Sequence, residues 1–153
     1  MPGIQQTYEQ KRAQAAWECV KQVRDRPDGK LKRSYSSLVR SFPALVQGSG
    51  LGQALAFLFA KSEGKLELDS SNTYGLLYSH LNGWLMKQVF TSSGNNDVLQ
   101  AIMTGSSSTY RWATIEALAY CTWLKRFAEA ELSPLYGAVS AGATRDSAKG
   151  GVG

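Results

Sequence analysis

Tyr110-Arg111-Trp112-Ala113-Thr114-Ile115-Glu116-Ala117-Leu118-Ala119-Tyr120-Cys121-Thr122-Trp123-Leu124-Lys125-Arg126-Phe127-Ala128 is the stretch on which the fold turns. At about 100° per residue, Trp112, Glu116, Tyr120, Trp123 and Phe127 gather on one side. Arg111, Thr122, Lys125, Arg126 and Glu129 take the other. A two-faced pattern of this period belongs to a helix laid on a core. It predicts a helix starting in Ser106-Ser107-Ser108-Thr109 and reaching about Glu131. Glu116 breaks the pattern, because it puts a charge into the apolar stripe.

Upstream the same period recurs and no alternating strand pattern interrupts it. A first helix is expected from about Gln5 to Arg24, with Ile4, Tyr8, Ala15, Cys19 and Val23 as its apolar stripe. Asp25-Arg26-Pro27-Asp28-Gly29-Lys30 should end it, with Pro27 and Gly29 as breakers. A second is expected from about Ser34 to Gln47, carrying Tyr35, Leu38, Val39, Phe42, Leu45 and Val46, and bent or restarted by Pro43. Gly48-Ser49-Gly50 turns into a third, Leu51 to about Ser62, apolar nearly all round and so expected at the centre. A fourth should run from Ser71 to Phe90, and a short fifth near Asn96–Met103 under an Asn95 or Asn96 cap. The fold class is therefore all-α, a compact bundle of about six helices over residues 1–132. Residues 133–153, rich in Gly, Ala and Ser, read as a flexible tail.

Arg12 mirrors Glu116. It lies in the first helix's apolar stripe among Tyr8, Ala15, Ala16 and Cys19. A buried charge is too costly to leave unpaired, so the two are expected to form a buried structural pair joining the first and last helices.

The 153 residues carry 17 Lys/Arg against 12 Asp/Glu. Residues 1–40 hold nine of those cations and four acids, whereas residues 41–153 hold eight of each. The whole positive excess sits in the first quarter, the footprint of a polyanion partner or of a solvated basic helix. Trp17 falls among Gln10, Gln14, Lys21 and Arg24 on a second face of the first helix. It can stack on a nucleobase or pack against protein, and both readings stand. The expected RNA-facing set is Trp17, Lys21, Arg24, Lys30, Lys32, Arg33 and Arg40.

Catalytic chemistry finds little support. The one histidine, His80, falls at the rim of the fourth helix's stripe near Lys87 and reads as a surface or boundary residue. Cys19 and Cys121 have apolar neighbours and no C-x-x-C spacing, so they read as buried thiols. No Cys/His cluster has metal-ligand spacing, and the acids are scattered singly. Gly48-Ser49-Gly50-Leu51-Gly52 follows a helix and lacks the Gly-Lys-Ser/Thr ending of a phosphate loop, so it is a helix–helix turn. No catalytic residue, metal or cofactor is expected. No apolar run approaches the ~20 residues of a membrane span, and no apolar signal segment opens the chain. A cytoplasmic protein without a membrane partner is expected.

Thr109 to Ala128 closely resembles the carboxy-terminal helix of the small helical subunit of the Cmr complex, the type III-B CRISPR effector. Lys11-Arg12-Ala13-Gln14-Ala15-Ala16, Tyr35-Ser36-Ser37-Leu38-Val39 and the run from Pro43 to Leu58 are similar to the same family. The resemblance covers about residues 8–130. It implies a helical subunit that stacks with copies of itself beside larger subunits carrying guide RNA, with the guide–target duplex held between them. Cleavage of the target would belong to other subunits, and no small-molecule substrate is implied. Guide pairing would read sequence while protein reads backbone shape. The rival readings are the small subunit of another CRISPR effector type, a helical protein-binding adaptor, and an enzyme with an unrecognised site.

Overall fold

The computed structural model describes residues 6–132, which form six helices. These are α1 (Tyr8–Arg24), α2 (Gly29–Ser49), α3 (Leu51–Ser62), α4 (Thr73–Gln88), α5 (Val98–Thr104) and α6 (Ser107–Glu131). No strand is found among the described residues. Ile4 of the expected stripe and the expected tail, 133–153, lie outside the described residues.

Each start is set by a short polar side chain. Thr7 and Gln10 form a reciprocal capping box on α1, in which each side chain accepts from the other's backbone N–H. Asp28 Oδ1 accepts from the N–H groups of Lys30 and Leu31, which starts α2 five residues before the expected Ser34. A carboxylate at an N-cap satisfies orphan amides and meets the positive end of the helix dipole, so Asp28-Gly29 opens a helix instead of only breaking one. α2 then continues through Pro43 without interruption. Asn72, Asp97 and Ser106 cap α4, α5 and α6 in the same way. The α5 cap is thus Asp97, neither Asn95 nor Asn96.

The α2–α3 junction is the expected helix–helix turn. Gly50 takes φ +92°, a left-handed value that side chains resist, and its N–H reaches Val46 O. Two residues on, Gly52 N–H donates to the Tyr110 hydroxyl, which ties the turn to the start of α6.

α1 packs chiefly on α6, α2 on α6 and α3, and α3 on α4. Leu51, Ala54, Leu55 and Leu58 of α3 face the core, but Phe57 and Phe59 are exposed, so α3 is a flank of the bundle. The more enclosed helix is α4, which buries Gly75, Leu76, Leu77, Tyr78, His80, Leu81, Trp84 and Leu85. Gly75 lets the α3–α4 connection pass close by, because a Cβ there would run into the backbone carbonyl of Lys65. Gly75→Ala should therefore lower the unfolding free energy by about 2–3 kcal/mol in urea titration, the overpacking range. A neutral substitution would show that the connection yields freely.

Candidate nucleic-acid interface

α2 contains four cations, Lys30, Lys32, Arg33 and Arg40, and no acid. Its buried side is Leu31, Tyr35, Val39, Phe42 and Val46, which leaves Lys30, Arg33, Ser37 and Arg40 exposed along the opposite face. From Lys30 to Arg40 is about 15 Å of helix axis. Lys32 is half-buried and lies beside the buried stripe, off that face. None of the four makes an ion pair among the described residues, so their charge is available to a partner.

The α1 candidates stand differently. Lys21 Nζ lies 3.4 Å from Glu18, one turn back. Arg24 bonds Asp25 at 3.2 Å and Glu131 of α6 at 3.3 Å. The bond to Asp25, then that to Glu131, raises its pKa above the usual guanidinium value. The same guanidinium sits 5.6 Å from the centroid of the Trp17 ring, which meets the Phe127 ring in a T-shaped contact with centroids 5.3 Å apart. Trp17 thus joins α1 to α6 with a cation already on it. Three of the seven expected RNA-facing residues are engaged within the protein, and within that set the unpaired charge narrows to α2.

Arg12 and Glu116 meet directly. Arg12 Nε donates to Glu116 Oε2 at 2.7 Å and its Nη2 to Oε1 at 2.9 Å, a two-pronged pair. Glu116 is 2% exposed and also accepts from Trp84 Nε1 at 2.7 Å. Arg12, 12% exposed, reaches Glu9 at 2.5 Å on its outer side. The hydrogen bonds to Glu116 raise the Arg12 pKa against the opposing effect of burial. Every prong of this cluster faces protein, which gives it a structural role.

His80 is a correction. It is 3% exposed, deep in the core, with Nδ1 2.6 Å from the Tyr35 hydroxyl of α2. Burial lowers its pKa to about 3, so the ring is neutral. Its Nε2 has no hydrogen-bond partner among the described residues. The helical stripe of α4 alone could not reveal the tyrosine that α2 supplies. Burial also pushes the Cys19 thiol up to about 11 and that of Cys121 up to about 12, the reverse of a reactive nucleophile. Among the described residues no group of three or more His, Cys, Asp or Glu could hold a metal ion. No helix among them is long and apolar enough to cross a membrane.

Two further surfaces escaped the sequence reading. Trp112, expected in the apolar stripe of α6, is a second correction: it is 44% exposed, and with Ile115 at 68% it gives the helix an apolar outer face. Between α2 and the start of α4 lies an open groove of about 760 Å³, with Lys30, Ser37 and Leu38 on one wall and Lys61, Thr73 and Tyr74 on the other. Lys61 and Tyr74 lie outside the basic first quarter, so the charge count could not point to them.

The family model described as CRISPR-associated protein (Cas_Cmr5) matches residues 8–131. Among solved structures, the chain is similar to the crystal structure of a CRISPR-associated Cmr5 family protein from Thermus thermophilus. The two share 28% sequence identity at a TM-score of 0.63, over 83% of this chain and 99% of that one.

Proposed function

The chain belongs to the CRISPR-associated Cmr5 family, the small subunit of the Cmr complex, and from that premise we propose that it serves a type III-B RNA-targeting effector as a non-catalytic, RNA-backbone-binding scaffold. The observation that carries the reading is α2, whose exposed face presents Lys30, Arg33 and Arg40 with no acid on the helix to neutralise them. Cations spaced along one helix face suit successive phosphates, which position a nucleic acid without reading its bases. Neutral buried His80 and the raised thiols support binding over chemistry. The exposed Trp112 and Ile115 supply an apolar face suited to protein contact, with copies of the same chain or with larger Cmr subunits. The proposed setting is the cytoplasm, with guide and target RNA as the nucleic-acid partners.

Replacing Lys30, Arg33 and Arg40 together by Ala is expected to reduce the slope of log affinity against log salt by about 2–3, at ~0.7–0.9 per lost phosphate contact. The loss should be alike for every RNA sequence. Target binding by the assembled complex, titrated in salt, reads this out. If the variant fails to assemble without target while any residual complex binds RNA normally, these cations serve neighbouring subunits and the reading fails.

A further inference from the structure

Lys30 belongs to two features at once. It begins the basic face of α2, and it lines the groove that opens between α2 and the first turn of α4. The opposite wall is built around a ring. Tyr74 is braced by Phe57, whose ring meets it nearly edge-on at 5.8 Å and 85°. Lys61 Nζ hovers 5.8 Å from the Phe57 centroid and 6.0 Å from that of Tyr74, at the outer limit of a cation–π contact. Asn72, which caps α4, also donates through Nδ2 to the Lys61 carbonyl oxygen, so one residue fixes both the lysine and the tyrosine helix.

We propose that this groove is a subsite for one unpaired RNA nucleotide, with its base on Tyr74 and its phosphate between Lys30 and Lys61. The proposal rests on α2 being the RNA-facing element. A braced aromatic beside two cations free of ion pairs among the described residues is the chemistry that holds an unstacked base. The volume of about 760 Å³ lies within the ~300–1,000 Å³ typical of clefts for small ligands. The walls also favour a nucleotide over a protein segment. Serine and threonine hydroxyls dominate them, and Leu31, Leu38 and Tyr74 are the apolar lining, too little to bury an apolar helix. Two acids share the groove. Asp28 is committed to the α2 cap, and Glu63 is exposed, so its charge is screened by water.

The test compares two RNA duplexes bound to the purified full chain, one fully paired and one with a single bulged 2-aminopurine. The bulged duplex should bind more tightly by about 5- to 100-fold, as a stacked base allows, with 2-aminopurine fluorescence quenched. Tyr74→Leu should remove both the preference and the quenching, whereas Arg33→Ala should weaken both duplexes equally and leave quenching intact. If Tyr74→Leu disturbs folding, exposed Lys61→Met carries the test and should reduce the preference several-fold. Salt-dependent binding without preference for the bulge overturns the subsite alone. Absence of salt-dependent binding overturns the RNA-facing reading and the subsite with it. Quenching that survives Tyr74→Leu while association with larger subunits is lost assigns the groove to a protein segment and also overturns the proposal.

Discussion

Glu116→Ala should lower the unfolding free energy by about 3–5 kcal/mol, the largest loss expected of any single side chain here. Glu116 accepts three hydrogen bonds in the core, two from Arg12 and one from Trp84. Its removal strands the arginine charge at a site that is 12% exposed, with Glu9 as its remaining partner on the wet side. Truncating both ends, as in Arg12→Met with Glu116→Leu, should cost much less than the sum of the single changes, because no charge is then left unpaired. The Trp84 indole N–H still loses its acceptor in that variant, so a residual cost of about 1–3 kcal/mol is expected. Urea unfolding of the wild type, Arg12→Met, Glu116→Leu and the double variant measures this. Strictly additive losses would show that the two residues act separately.

The second large effect is acid lability through His80. Its folded pKa of about 3 lies below the ordinary value of 6.5, so the unfolded chain binds the proton more readily. The stability held by the neutral ring is complete above about pH 6.5 and drains away as pH falls toward 3. At 1.36 kcal/mol per pH unit, the loss reaches about 2 kcal/mol by pH 5 and about 5 kcal/mol by pH 3. His80→Asn keeps a polar atom near Nδ1 for the Tyr35 hydroxyl and does not titrate. Between pH 7 and pH 5 the wild type should lose about 2 kcal/mol more than this variant. Parallel losses would mean that other groups drive the acid transition.

The helix count and the packing of α1 on α6 follow from periodicity, because a stripe carrying a stray charge reports both its buried face and its need for a partner, and the helix–helix turn at Gly50 follows from the glycine cluster that breaks the pattern. Boundaries and burial are less legible where a partner comes from elsewhere in the chain. Asp28-Gly29 looks like a break until the amides of Lys30 and Leu31 turn back to the carboxylate. His80 looks marginal until Tyr35 arrives from α2. Phe57 and Phe59 make α3 look central, yet they face outward, because apolar content alone does not say which side is covered. The site divides in the same way. Charge counting finds the basic quarter, but separating α2 from α1 requires Glu131, which lies 107 positions from Arg24. The groove joins Lys30 to residues 31 and 44 positions further on, Lys61 and Tyr74, and no local pattern encodes that meeting.

Arg12 and Glu116 are separated by 104 positions, and Cys19 with Tyr120 and Arg24 with Glu131 follow in the same order. Of the described helices the first is therefore docked against the last, and the two run in the same direction. Until α6 has emerged, α1 has neither the surface that covers Ala16, Val20 and Val23 nor Glu116, the buried acid that Arg12 meets besides Glu9. Ordering of α1 must then wait for nearly the whole described chain, a late and non-local closure that local helix formation cannot hasten. A chain cut short within α6 forfeits the docking of α1 along with α6 itself.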